Sequence, residues 1–435
     1  MRETRASFAL LFFIIAAHIA YLLPQIKTES EVSQSYSVTT CPGPVNDARS
    51  TALLPSKQVG IRELARGKSD FLKPASGTPV LSRGAIILAG DPRNSWTIQT
   101  KANRWTSATT CNSGLDSSWF VGGTANVTSQ GKLILINSGL SDATVEVSTF
   151  SEDGPSEPRS VTVKALTERE IRVDSLLPGA DLLVIRVKIL SGRVTSFLTD
   201  ERVRGLNNIG GDFVSPISEP STELLIAGLP ATFGSSSRIE RTLRLMSTED
   251  VDTNVSVEVI SRGGVYVPVN LSNIEINAGE VVDVPLRELD LGRQNFGIKI
   301  SAGSPIVASV FSEVRSGSIS DFMWSTPSPS FESASFNIYG LEPSITIVGE
   351  QIRVRIQWRN RDGENFSESV TGEEILNWKV PANARLISIS NLSGARAGMS
   401  WLTSDGVTHL PISSAATLES AARPRADISV IQSRT

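Results

Sequence analysis

Two histidines, two cysteines and a scatter of carboxylates are the residues of this 435-residue chain that could do chemistry. His18 lies in an apolar run near the N-terminus, and His409 lies in "VTHLPIS", where it reads as a half-exposed strand residue. A Ser-His-Asp or Cys-His arrangement would have only His409 to serve as base. No serine stands in a G-x-S-x-G elbow, and no S-x-x-K opens a convincing helix. Zinc needs three or four ligands, which these histidines and cysteines do not supply. Carboxylates are plentiful enough for a glycosidase-like pair. Those that recur, Glu201 with Glu313 and Glu170 with Glu280, do so at matching places in a repeat, whereas an active site is normally built once. They read as strand-end and turn residues. The chain is expected to be no enzyme, with no catalytic residue, no cofactor and no metal.

"EDVDTN" sets Asp250, Asp252 and Asn254 at alternate positions, like the start of an oxygen-rich calcium loop. Val255 then stands where such a loop needs glycine, so a solvated turn is the better reading. Trp96, Trp105 and Trp119 are the ligand-surface candidates, since indole faces can stack on sugar rings. Trp119 and Phe120 abut Gly122 and Gly123 in "SSWFVGG", which suits either a binding floor or an ordinary strand.

Placing these residues depends on the elements around them. Apolar residues make up 40% of the chain and charged residues 20%, as in an ordinary globular protein. A net charge of −4 argues against nucleic acid as a partner, because phosphates demand a basic surface. Arg2 and Arg5 precede an apolar run from Phe8 to Leu23, shorter than the roughly 20 residues of a full span but long for a signal-peptide core. The small-residue cleavage pattern is poor, with His18 where a small residue is wanted. Glu29 and Glu31 follow the run, giving a positive-inside flank. An uncleaved signal anchor and a cleaved signal peptide both remain open, the anchor being the expectation. The chain is then a single-pass plasma-membrane protein held through residues 8–23, with its bulk outside the cytoplasm. Cys41 and Cys111 fall on that side, where oxidation is permitted, and a bond between them would close a loop of roughly 70 residues.

Self-similarity sets the organisation. "FVGG" at Phe120–Gly123 is echoed by "IAGL" at Ile226–Leu229 and "IYGL" at Ile338–Leu341. "KLILINSGLSDATVEVSTF" parallels "TLRLMSTEDVDTNVSVEVI", setting Leu133 on Leu243 and Asp142 on Asp252. A third copy is looser, with "WKVPANARLISIS" resembling "IEINAGEVVDVPL" and Ala382 on Ala278. The shared glycine favours close backbone approach over ligand contact. Period-two alternation between turn signals, in units of about 100 residues, predicts tandem β-sandwiches. The expected architecture is all-β: an N-terminal transmembrane helix followed by immunoglobulin-like sandwich repeats. Its divisions are a stub and anchor at 1–30, a disulfide-closed β-rich segment at 31–112 that repeats no full unit, and repeats at 113–213, 222–316 and, degenerate, 334–435. Pro/Ser-rich "VSPISEPS" and "STPSPSFESAS" serve as spacers.

"CPGP" at Cys41, the second cysteine shortly before "SSWFVGG", and "LILINSGLSDATVEV" resemble an actinobacterial family of membrane-anchored exported proteins catalogued as a domain of unknown function. The resemblance is specific mainly between Cys41 and Phe150. It implies an envelope location and β-rich exported domains, and it carries no catalytic residues. The expected function is a non-enzymatic, membrane-tethered envelope protein whose β-domains bind or scaffold an envelope protein or cell-wall polymer. A carbohydrate-binding or carbohydrate-active protein acting on wall polymers is the alternative.

Overall fold

In the computed structural model, described for residues 39–413 except 56–58, 65–71, 73–78, 90–93, 288 and 290, the alternating runs form antiparallel strands. The run 8–23, where an anchor is expected, lies outside the described residues. No helix among the described residues is long and apolar enough to cross a membrane.

The strands fall into four sets. The first holds β1 (Thr40–Cys41), β2 (Arg49–Leu53), β3 (Gly60–Glu63), β4 (Val80–Ser82), β5 (Ile86–Ala89), β6 (Trp96–Lys101) and β7 (Trp105–Thr110). The second holds β8 (Ser117–Val121), β9 (Lys132–Asn137), β10 (Ala143–Ser151), β11 (Gly154–Pro155), β12 (Arg159–Val163), β13 (Glu168–Arg172), β14 (Val184–Ser191), β15 (Val194–Arg204) and β16 (Asn207–Val214). In the third are β17 (Ser221–Leu229), β18 (Arg238–Ser247), β19 (Thr253–Ser261), β20 (Gly264–Tyr266), β21 (Ile274–Ile276), β22 (Val281–Pro285), β23 (Phe296–Ser316) and β24 (Ile319–Ser325). The fourth has β25 (Ser333–Asn337), β26 (Ser344–Val348), β27 (Ile352–Asn360), β28 (Asn365–Gly372), β29 (Ile375–Lys379), β30 (Ala384–Asn391), β31 (Arg396–Leu402) and β32 (Val407–Ile412).

Pairing order repeats from set to set. One sheet of the second set runs β11-β10-β14-β8 and the other β13-β9-β15-β16; the fourth set gives β28-β27-β30-β25 and β29-β26-β31-β32. The first set gives β3-β5-β1 and β4-β2-β6-β7, the same order with shorter strands. Residues 40–110 thus follow the repeat that the sequence seemed to lack there. Two-residue and four-residue strands such as β1 and β3 are too short to show a period. In the third set the 21-residue β23 replaces two strands: its first half pairs β17 and β19, its second half β18 and β24. The two sheets of that sandwich are one continuous ribbon. Register also corrects the looser sequence alignment, because β29 holds the place of β22, one strand later than the match of Ala382 with Ala278 implies.

Alternation explains each core. In β27, Ile352, Val354 and Ile356 point inward while Arg353, Arg355 and Gln357 face solvent. β9, "KLILIN", is apolar on both faces for a different reason. Leu133 and Leu135 enter the core of their own sandwich, while Ile134 and Ile136 pack with Val45, Ala85 and Trp105 of the first. Burying such a side chain is worth roughly 1.5–3 kcal/mol, so both faces contribute.

The sandwiches close on one another within a single compact unit. The second meets the third through Trp119, Val121 and Val184 against Met246, Val281 and Val307. Leu225, Ala227 and Ile260 join the third to Val348 of the fourth. The fourth returns to the first, where Leu53, Trp96 and Ala108 share a core with Phe336, Trp401 and Ile412. The last strand of every sandwich lies inside this ring: β7 packs on β16, β16 on β24, β24 on β32, and β32 on β7.

Candidate functional site

Those four inner strands place a carboxylate where no sequence signal located one. Asp321 of β24 is fully buried and accepts backbone hydrogen bonds from all three other sandwiches: Thr106 N at 3.3 Å, Gly211 N at 3.0 Å and Val407 N at 2.9 Å. A Cβ on Gly406 or Gly210 would collide with its oxygens, so glycine is required beside it. Burial pushes the Asp321 carboxyl well above the usual range, against the amide bonds that pull it down. Each of the other three sandwiches therefore gives one amide to a common acceptor in the third.

A second buried network joins the second and third sandwiches. Asp200 accepts from Arg202 Nη2 at 2.7 Å and from Trp324 Nε1 at 2.9 Å, while Asp212 accepts from Trp324 N at 2.8 Å. Arg202 lies over the rings of Phe311 and Phe322, 4.7 and 5.0 Å from their centroids. Arg244 forks onto Asp283 and donates to Gly123 O at 2.6 Å, with Trp324 5.0 Å away. Burial raises the Asp212 carboxyl strongly. The visible trace of both networks is an aspartate before phenylalanine inside an apolar strand, in "GGDFV" and "SDFMW".

Beside this network a small cleft lies between the first and second sandwiches, lined by Asn46, Trp105, Ser107, Glu201, Asp212 and Phe213 among others. The cleft has room for about one water molecule. Glu201 is clamped by Lys101 Nζ at 2.8 Å and by Asn46 Nδ2 at 2.6 Å. Asp212 Oδ1 and Trp105 Nε1 are buried there without a protein partner. This geometry suits a structural joint rather than a bound glycan.

The structure scatters the sequence candidates. Register sets Glu201 and Glu313 on corresponding positions, since Leu198 and Val310 face Leu133 and Leu243. Glu201 is buried in the cleft, whereas Glu313 pairs with Arg315 at the surface. Glu170 corresponds in register to Asp283 and not to Glu280, which accepts from Asn277 in a turn. A neighbour of Glu170, Glu168, is pushed up to about 7 by burial and by the Glu170 charge. Asp142 and Asp252 do the same job in their two sandwiches, accepting from Ala165 N in the β12–β13 connection and from Ala278 N in the β21–β22 connection. No group of three or more His, Cys, Asp or Glu among the described residues could hold a metal.

Two expectations need correction. Trp96, Trp105 and Trp119 are 1%, 2% and 5% exposed, so none presents a ring face to a ligand. Trp96 meets Trp401 edge-on at 5.6 Å, and Trp119 stacks on Phe150 at 5.8 Å. They read as surface candidates because a strand buried between sandwiches carries the same aromatics as a binding face. His409 is 1% exposed rather than half-exposed. It faces the third sandwich, with Nε2 2.8 Å from Ala227 O, and burial lowers its pKa to about 4. The repeated glycines do permit close approach: a Cβ on Gly122 would stand 2.9 Å from the Trp324 ring, and one on Gly228 2.9 Å from the Gly398 backbone. The Cys41–Cys111 disulfide is present, as expected. Its place matches a pattern, because Asn112 bridges back to Thr40 as Ile217 does to Trp119, and Ser328 N donates to Leu225 O. In each of the first three sandwiches the outgoing linker returns to the opening strand. Only the first adds a covalent bond.

Residues 78–370 match the Family of unknown function (DUF5719). The chain belongs to this family. No curated protein matches it. Among solved structures, Thermotoga maritima 1070 covers 25% of this chain and 93% of its own length at 12% identity, with a TM-score of 0.21. The major pilin of Streptococcus pyogenes covers 68% and 98% at 11% identity, with a TM-score of 0.14. Streptomyces avermitilis α-L-rhamnosidase complexed with L-rhamnose covers 85% and 55% at 8% identity, with a TM-score of 0.14. Overlaps this loose carry no functional argument.

Proposed function

We propose that this chain is a non-enzymatic, membrane-tethered envelope protein of actinobacterial type, whose β-sandwich modules bind or scaffold other envelope components. The modules are immunoglobulin-like in the broad sense of two packed antiparallel sheets, divided near 31–112, 113–213, 222–316 and 334–435. The observation that carries this reading is where the polar chemistry has gone. Asp200, Asp212, Asp321 and His409 are all buried in joints between sandwiches, and the cleft beside them holds about one water. A frame locked in this way presents fixed outer faces. Arg2 and Arg5 ahead of residues 8–23, with a disulfide beyond, support export with a retained anchor.

In-cell crosslinking of the full-length chain, followed by identification of the captured component, tests the reading. Envelope components should dominate, and the protein should stay with the membrane fraction. Release of a shortened protein into the medium would remove the tether, and turnover of a purified wall polymer by the chain would favour the carbohydrate-active alternative.

A further inference from the structure

We propose that the outer face of sheet β28-β27-β30-β25 in the fourth sandwich is a binding surface for an acidic polysaccharide. Along β27, Arg353, Arg355, Gln357 and Arg359 all face outward and are exposed. None of these three arginines forms an ion pair within the described residues; Arg359 Nε donates instead to Asn365 Oδ1 at 3.1 Å. Their cross-strand neighbours carry no acid. On β28 they are Thr371, Ser369 and Asn365, with Ser367 beside Gln357; on β30, Ser390 and Ser388 face Arg355 and Gln357. Ser333 and Ser335 of β25 extend the same rows.

The sister sandwiches show what this face lacks. In the second, Glu146 of β10 sits opposite Lys188, and in the third, Glu258 of β19 sits opposite Lys299. There opposite charges face one another across the strands, and Lys299 pairs with Glu223 at 3.1 Å. In the fourth, the corresponding strand β27 carries no glutamate, and its Arg355, Gln357 and Arg359 face Ser390, Ser388 and Leu386 on β30. Three cations are left without an acidic partner among the described residues, on a chain whose net charge is −4.

Geometry and chemistry narrow the partner. Residues two apart on a strand repeat every ~6.8 Å, so Arg353 to Arg359 spans roughly 20 Å, a length suited to an extended polymer. Guanidinium forks match carboxylates two bonds at a time. The flanking hydroxyl rows can give and accept hydrogen bonds with sugar hydroxyls. No aromatic side chain stands in these rows, since Trp358 and Phe366 lie on the inward-facing register of the sheet. Single-stranded nucleic acid relies on such stacking platforms, so the face suits a charged glycan better. This rests on the envelope reading only for where the polymer is met.

The test uses the full-length chain purified in mild detergent, with fluorescein-labelled polygalacturonate, dextran of matched length and oligo-dT as probes. Polygalacturonate should bind and dextran should not. Binding should weaken at least tenfold in Arg353→Ser/Arg355→Ser/Arg359→Ser, and similarly between about 50 and about 500 mM NaCl, as screening requires. The single exposed change Arg355→Glu gives the same direction should the triple variant fold poorly by circular dichroism. Absence of polygalacturonate binding, or equal binding by the folded variants, overturns the proposal; equal binding of oligo-dT overturns its assignment to polysaccharide. Any of these, with envelope components still captured in cells, leaves the scaffold reading standing.

Discussion

His409 and Asp321 make opposite demands on pH. His409 is held neutral, its pKa lowered from 6.5 to about 4 by burial, with Nε2 2.8 Å from Ala227 O. A lowered folded pKa means that the unfolded chain takes up the proton first, so stability is full above 6.5 and falls as pH drops toward 4. The loss attributable to this residue is roughly 3 kcal/mol across that window. Chemical denaturation of wild type and His409→Gln between pH 7 and 4 reads it directly: the gap in unfolding free energy between them should move in favour of the variant as pH falls. A constant gap would show that His409 does not titrate there. Burial shifts Asp321 the other way, so its stabilisation is lost as pH rises from the unfolded value through the raised folded one. Replacing it with alanine strands the amides of Thr106, Gly211 and Val407. Asp321→Ala should cost roughly 3–5 kcal/mol, the scale of a broken buried polar network, and Asp321→Asn, which keeps an acceptor, should cost less. Equal denaturation midpoints for wild type and Asp321→Ala would end the idea of a shared hub.

At the scale of elements, the disulfide is the first linker's return made covalent. Cys41 ends β1 and Cys111 follows β7, 70 residues apart. Its removal in Cys41→Ser/Cys111→Ser should lower stability by about 4 kcal/mol in the chain-entropy model, read as a drop in melting temperature. The sequence alone would confine that loss to the N-terminal half. The structure spreads it, because the first sandwich packs on both the second and the fourth. Protection of β32 amides against hydrogen exchange should therefore fall as well, and unchanged β32 protection would show the first sandwich to be uncoupled. The disulfide and the long strands were legible because loop span and period-two alternation are local properties. The dual role of "KLILIN" was not, since an apolar residue carries no mark of which neighbouring core it will enter.

For the whole molecule, Trp96 is the test of closure. It is 1% exposed, sits edge-on to Trp401, and donates Nε1 to Asn337 O at 3.1 Å, so it stitches the first sandwich to the fourth. Trp96→Ala should cost roughly 3–5 kcal/mol, and calorimetry should show two transitions where wild type shows one. A single transition with a small shift would mean the ring holds without this joint. Closure was hidden from the sequence for the same reason that Trp96, Trp105 and Trp119 looked like ligand surfaces. Contacts between sandwiches and contacts with ligands draw on the same aromatic residues, and only their burial separates the two.

Because the fourth sandwich adjoins the first as the second adjoins the third, the gap between the chain's two described ends is one of four comparable junctions. The linkers at Ile217 and Ser328 each fold back onto the sandwich they leave, so cutting there severs no strand. The folded object is in this sense indifferent to where its chain begins. Circular permutation, with new ends placed between β16 and β17 and a flexible bridge joining residue 413 to residue 39, should return the same ring. Such a permutant would carry its tether on a different sandwich, turning the assembly relative to the membrane without altering a single outward face.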